Sequence, residues 1–513
     1  MVSNTTTTLP ENQTIAAIDL GSNSFHLSVV RVVNGTMQPL VRDKRMVQLA
    51  QGLDNHGRLT DEAMLRGLEV LRSFAETIQE LHSNSVRAVA TFTLRKAKNR
   101  NEFLRLARKF MPVPIEVISG DEEARLIYQG VAHTTHLEGR RLIIDIGGGS
   151  TEFSIGEQFE LLQLASLPLG CVTYSKRWFA DGQIRKKAFK ACELAASQRL
   201  EIIDRRFKNT GWESAIGCSG TAKAVAQYWE SQHGTFDGVI RAEMLEQVRE
   251  DMIAVGHVDQ LTGIEEHRRS VMPAGVAILE AIFKRLEIKE MTLSEAALRE
   301  GVLYELTERM QHEDIRERTI RSLAVRYDID GAQVERVKQT VRDLLNGIPP
   351  EEKTPDWLQA EKIIEWAVEL HEIGLHINRR AIQEHSSYII GNTELPGFSR
   401  EEQDILALLL KHYRKSFKRK SFGDFTLYNK RTLALMVAIL RIAVLVNIRR
   451  LDDARPNIKA VIRKNRMELS FPDKWLEENP VIRSDLRIEA EILKTNKIKL
   501  KLPKQIPPSQ SAE

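Results

Sequence analysis

One pattern occurs twice in this chain. Around Asp19 it reads IAAIDLGSNSFHLSVVRV, and around Asp145 it reads RLIIDIGGGSTEFSIGEQ. Each copy is an apolar run ending in Asp, a Gly two residues on, small hydroxyl or amide residues, and a second alternating run. Runs bounded in this way read as strands, so each copy is a strand–tight turn–strand unit. The two Asp positions lie 126 residues apart. Long amphipathic segments follow the copies, at 61–81 and 186–207. A repeated strand pair with helices predicts two similar α/β lobes around a cleft, because each sheet must bury a face under helices.

The 513 residues exceed what two lobes need. Near residue 306 the texture becomes helical and stays so to about 450, with Ile363, Ala367 and Leu370 on one helix face. Pro349–Pro350 and Pro396–Gly397 mark loops there. Past Asp452 come period-two runs, KAVIR, MELSF, RIEAEIL and KIKLKL, which read as short strands. In the last, Lys497, Lys499 and Lys501 share one face while Ile498, Leu500 and Leu502 share the other. The expected organisation is a first lobe at 1–126, a second at 127–306, a helical domain at 307–450, and a small basic β-containing unit at 451–513. The tail PPSQSAE is expected to be disordered.

Hydrophobic residues at 42% and charged residues at 28% suit a soluble globular enzyme and exclude a disordered chain. The net charge of +4 hides an asymmetry. Residues 411–513 hold 24 Lys/Arg against 11 Asp/Glu, or +13, and the remainder carries −9. A basic end on an acidic body points to a polyanionic partner: nucleic acid, polyphosphate or an anionic membrane. Three cysteines, Cys171, Cys192 and Cys218, sit at no metal-ligand spacing and exclude a disulfide framework, which fits a reduced compartment. The start, MVSNTTTTLPENQ, has neither the basic nor the apolar region of a signal peptide. The apolar stretch 433–446 is too short to span a bilayer and contains Arg441, so it reads as a buried helix. A cytoplasmic protein is expected.

Both Asp–x–Gly turns can bind anions. Consecutive backbone N–H groups with hydroxyls beside them form a nest for phosphate, and the Asp at each strand end can hold a divalent cation or its water. The plain alternative is a pair of glycine hairpins. Gly217-Cys-Ser-Gly-Thr-Ala-Lys follows an apolar run and opens a helix, as an anion site or as an ordinary cap. In ISGDEEARL three acids begin a helix between the two turns; they supply a general base, or they complement the helix dipole. Arg95 and Arg268–Arg269 are candidate phosphate clamps or surface residues. His371-Glu372, His385 and His412 resemble a helical His/Asp metal site, but the chain has no His-Asp dipeptide, which favours a metal-free helical scaffold. A Walker A loop and CxxC pairs are missing from the sequence.

Together AAIDLGSNSFHL, TFTLRKA, ISGDEEARLIYQG, LIIDIGGGSTEFSIG, GCSGTAKA and ALREGVLYE resemble the exopolyphosphatase/guanosine-pentaphosphate phosphatase family, in order, over roughly residues 14 to 475. The resemblance implies two actin-like, ribonuclease H-like lobes, then a degenerate helical HD-like domain and a small C-terminal one. It implies hydrolysis of the terminal phosphoanhydride of inorganic polyphosphate, or alternatively of guanosine pentaphosphate; a non-hydrolysing sensor and an ATP-dependent kinase are the competing classes. The family's catalytic glutamate falls on Glu123, next to Glu122. Its acidic metal and water positions fall on Asp145 and Glu152, with Asp19 opposite. Substrate-binding positions fall on Ser22, Asn23, Arg95, Gly147, Gly148, Gly149, Ser150, Thr151, Ser219 and Arg268. Mg²⁺ or Mn²⁺ is implied as cofactor, with a monovalent cation such as K⁺ as an addition. A homodimer is implied too, and the basic end allows peripheral contact with an anionic membrane; no specific nucleic acid is expected. Cys218 stands where the family often has Ala.

Overall fold

The computed structural model describes residues 13–33, 36–135, 139–311, 315–353, 355–393, 395–415, 417–451 and 456–503. The PPSQSAE tail lies outside them. The chain divides into two compact units, Met1–Glu313 and Asp314–Glu513.

The first unit holds two sheets built to one plan. Strands β1 (Gln13–Leu20), β2 (Ser24–Val33), β3 (Thr36–Met46), β4 (Val86–Ala90) and β5 (Ile115–Val117) form a sheet of order β3-β2-β1-β4-β5. Strands β6 (Arg140–Ile146), β7 (Thr151–Glu157), β8 (Glu160–Leu167), β9 (Ser214–Gly217), β10 (Val239–Arg241) and β11 (Glu290–Leu293) form one of order β10-β11-β9-β6-β7-β8. In each, an antiparallel three-strand meander joins parallel neighbours through its first strand. The 126-residue offset extends to irregularities. The meanders change register between Val29 and Val30 and between Ile155 and Gly156.

β1 and β6 read as unbroken apolar runs because both faces are covered. Ala16 and Ile18 join the core of the first lobe, and Leu142, Ile144 and Ile146 that of the second. Ile15, Ala17 and Ile143 turn the other way, into a third core shared by both lobes. Two helices fill that shared layer, Gly120–Thr134 with Leu126, Ile127 and Val131, and Leu298–Gln311 with Val302, Leu303 and Leu306. The first helix packs on β7 and β8, the second on β1 and β4, and they pack on each other. Their approach is so close that a Cβ at Gly301 would overlap the Leu126 carbonyl. Gly301→Ala should therefore cost about 1–3 kcal/mol, typical of overpacking. An unchanged urea midpoint for the variant would show that the helices have room to part.

The second unit is helical for most of its length. Its core runs from Ile320 to Leu500 and includes Ile363, Ala367 and Leu370, on one face of helix Pro355–Leu370. The helix Lys430–Val446 is buried along most of its length, and Arg441 inside it is matched by Glu489, with Nε and Nη2 each 2.6 Å from a carboxylate oxygen. Strands β12 (Lys459–Arg463), β13 (Arg466–Ser470) and β14 (Lys499–Lys501) form a small sheet on the same core. Ile498 and Leu500 face inward while Lys497 and Lys499 are exposed. One expectation needs correction: RIEAEIL is not a strand but part of the helix Pro480–Thr495. Its buried positions are Ile482, Leu486, Glu489 and Leu493, three or four apart, and Ile488 is exposed. Of the histidines, His371 is buried with Nδ1 donating to the Val368 carbonyl at 2.6 Å, and His412 packs against Phe417 and Phe422. Among the described residues no helix is long and apolar enough to cross a membrane.

Candidate active site

The two repeated turns close in the same way. Gly21 N donates to Ser24 O at 3.1 Å, and Gly147 N donates to Ser150 O at 2.9 Å. Both line one cavity of about 380 Å³. They also touch the opposite lobe's elements. A Cβ at Gly148 would lie 3.0 Å from the Ser22 side chain, and one at Gly149 would overlap the Phe92 ring. Ser22 is itself held by a hydrogen bond from Thr93 Oγ1 at 2.8 Å. Glycine turns from two lobes thus face one cavity, the kind of backbone that can serve as an anion nest.

Carboxylates stand at the strand ends beside these turns. Asp19 and Asp145 both line the cavity. Burial pushes Asp19 up to about 7, with Arg299 opposing and Glu123 and Asp145 adding to the rise. Burial likewise brings Asp145 to about 7, Glu123 adds to it, and a Ser219 hydrogen bond opposes it. Glu123 reaches the same cavity from the first turn of helix Gly120–Thr134, whose start is fixed by Ser119 accepting from Glu122 N at 3.0 Å. Its pKa is raised by burial against the pull of Arg95, whose Nη1 lies 3.1 Å from Glu123 Oε2 and also donates to Ile118 O at 3.0 Å. The three successive acids therefore part company. Glu122 faces away, into a buried cluster with Arg125, Arg87 and Glu305.

Of the residues expected at the site, Asp19, Ser22, Asn23, Glu123, Asp145, Gly147, Gly148, Gly149, Ser150, Ser219 and Arg268 line the cavity. Arg95, Thr151 and Glu152 do not. Arg95 stands behind Glu123. Thr151 is fully buried, its hydroxyl donating to the Leu169 carbonyl. Glu152 is buried and accepts from Ser166 Oγ at 2.8 Å; burial, and then Glu123, hold its pKa well above the usual carboxylate range. Among the described residues no three His, Cys, Asp or Glu side chains converge on one metal position, so Asp145, Glu152 and Asp19 are not gathered as a single ligand set. Asp19 Oδ1 is nevertheless buried without a hydrogen-bond partner. A small divalent ion that keeps water and phosphate oxygens needs only one or two carboxylates, and Asp19 with Asp145 meets that requirement.

Four cations share the cavity wall: Lys44 from β3, Lys223 from helix Gly220–His233, Arg268, and Arg299 from helix Leu298–Gln311. The Arg268 guanidinium lies over Gly220, where any Cβ would overlap it. Lys223 pairs with Glu295 at 2.8 Å. Lys44 lies outside every motif of the sequence, whereas Lys223, Arg299 and the adjacent His26 lie inside GCSGTAKA, ALREGVLYE and AAIDLGSNSFHL without being assigned a role of their own. His26 carries a positional signal as well, since it sits 126 residues before Glu152 and pairs with Asp19 as Glu152 pairs with Asp145.

A cavity with two glycine turns, buried carboxylates and a cationic wall suits phosphoryl chemistry, and comparison with known proteins agrees. The Ppx/GppA phosphatase family description matches residues 28–310, and Ppx/GppA phosphatase domain III matches residues 315–490. The guanosine-5'-triphosphate,3'-diphosphate pyrophosphatase of Vibrio cholerae serotype O1 is 40% identical over 482 residues, covering 93% of this chain and 95% of that protein. The protein of the same name from Vibrio parahaemolyticus is 39% identical over 480 residues, with the same coverage. Among solved structures, an exopolyphosphatase from Cytophaga hutchinsonii aligns with a TM-score of 0.53 at 27% identity, over 58% of this chain and 98% of that one. The Aquifex aeolicus Ppx/GppA family member, at 24% identity and a TM-score of 0.51 over 59% of this chain and 99% of that one, shares the fold. With both units matched, this chain belongs to the Ppx/GppA phosphatase family.

Proposed function

We propose that this phosphoanhydride hydrolase removes the terminal 5'-phosphate of guanosine 5'-triphosphate 3'-diphosphate as orthophosphate. The observation that carries the hydrolytic part is the convergence of both Asp–x–Gly turns and Glu123 on one cavity. The nests of Gly21–Ser24 and Gly147–Ser150 hold the terminal phosphate, and the cationic wall takes the rest of the anion. Glu123, kept in place by Arg95 and raised by burial, orients the attacking water and accepts its proton. Asp19 and Asp145 would hold a divalent cation such as Mg²⁺, which supplies charge neutralisation to phosphate oxygens when bound.

The choice of nucleotide rests on the relatives named for that substrate, which match over 93% of this chain. It reverses the order expected from the basic C-terminal end, since the motifs are common to both substrates. Inorganic polyphosphate is the second reading, supported by the Cytophaga neighbour and by the exposed Lys497 and Lys499 of the basic C-terminal end. Orthophosphate release by the purified chain with Mg²⁺ should show a higher kcat/KM on the nucleotide than on long-chain polyphosphate. The opposite ranking would transfer the assignment to polyphosphate. Release from neither would overturn the hydrolase mechanism.

A further inference from the structure

Within the cavity, Arg299 has so far been given only its place in the cationic wall, and His26 no part at all. Arg299 stands in the first turn of helix Leu298–Gln311 and lines the cavity. Its charge acts on both Asp19 and Asp145. Among the described residues its guanidinium has no carboxylate partner; Nη1 lies 2.5 Å from His26 Nδ1. Guanidinium cannot accept a hydrogen bond, so Nδ1 carries no proton and is the acceptor. The remaining ring proton is therefore on Nε2, which donates to Ser24 Oγ at 2.7 Å.

A neutral imidazole orients a cation without cancelling it. With no carboxylate in hydrogen-bond contact, a partly buried guanidinium keeps its donors for an arriving anion. One of its five N–H donors is used by His26, and the others remain for a planar, two-point contact with phosphate. Ser24 is the last residue of the first nest, so the chain Ser24–His26–Arg299 ties that nest to the helix Leu298–Gln311.

We propose that Arg299 is a further phosphate-binding residue of this site and that His26 is its positioning residue. The proposal rests on the hydrolase reading above and adds residues to it. His26 holds the guanidinium beside Asp19 and Asp145 so that it meets the phosphate chain being cleaved.

The test uses the full chain with guanosine pentaphosphate and Mg²⁺, reading kcat and KM separately and the melting temperature of every variant. Arg299→Ala should lower kcat/KM about 10–100-fold, the worth of a charge-assisted hydrogen bond. His26→Gln, whose amide reaches the Nε2 position and offers nothing at Nδ1, should reproduce most of that loss. His26→Asn, which restores an acceptor near Nδ1, should stay within about threefold of wild type. In an Arg299→Ala background His26→Gln should add little, because the two act as a unit. The positioning role is overturned if the His26→Gln loss persists in full on Arg299→Ala. The binding role is overturned if folded Arg299→Ala keeps wild-type kcat/KM. A wild-type protein that releases no orthophosphate from any phosphoanhydride would instead sink the hydrolase reading.

Discussion

Glu123→Gln is expected to lower kcat by about 10²–10⁴-fold, the usual loss for a positioned acid–base group, while leaving the protein folded. Folding should survive because burial already disfavours the charged form of Glu123, and the amide keeps an oxygen for Arg95 at nearly the same place. The helix start is secured independently by Ser119. Steady-state orthophosphate release by the purified variant decides the matter. Near-normal turnover with an unchanged melting temperature would remove Glu123 from the mechanism and leave Asp19 and Asp145 as the remaining candidates in the cavity.

The largest stability effect is expected not at the cavity but just behind it. Glu305 accepts from Arg87 Nη1 at 2.9 Å and from Arg125 Nη2, and both its own side chain and that of Arg87 are almost wholly buried. Arg87 also bonds Glu116, and Arg125 bonds Glu122 at 2.8 Å. Glu305→Leu would leave two buried guanidinium groups short of a carboxylate, a change that typically costs about 3–5 kcal/mol. Chemical denaturation should register it as an earlier transition of the first unit. A loss under about 1 kcal/mol would mean that Glu116 and Glu122 satisfy both arginines alone.

The parts of the site that were legible in the sequence are local ones. Asp19 with Gly21–Ser24 and Asp145 with Gly147–Ser150 each occupy a single turn, so spacing alone displays the nest. The cationic wall as a whole has no such signature, although Arg268 and the loop leading to Lys223 were readable one by one. Lys44, Lys223, Arg268 and Arg299 come from four separate segments and meet only through sheet order and helix packing. Thr151 shows the opposite failure: it stands next to Ser150 in sequence, but its side chain turns into the core. Segment type was misread where two periods compete. RIEAEIL alternates over its first six residues, yet the longer spacing from Ile482 through Leu493 prevails because Leu486 and Leu493 bury themselves as helix positions. Division points were equally hidden. A boundary at 126/127 passes through the helix Gly120–Thr134, and one at 450/451 divides residues that share a single core. Composition changes along a chain where local texture changes, whereas cores are assembled from distant segments.

The shared layer of the first unit carries a further consequence, for the order of events during synthesis. Ile15 and Ala17 near the start of the chain are covered by Val302, Leu303 and Leu306. Until the ribosome has released the segment up to about residue 306, one face of β1 lacks that part of its cover. Contacts of such long sequence separation form late and slowly. The emerging amino-terminal lobe must then wait with an apolar sheet face only partly covered, and a chain truncated before Leu298 would remain a client for chaperones rather than a smaller working enzyme.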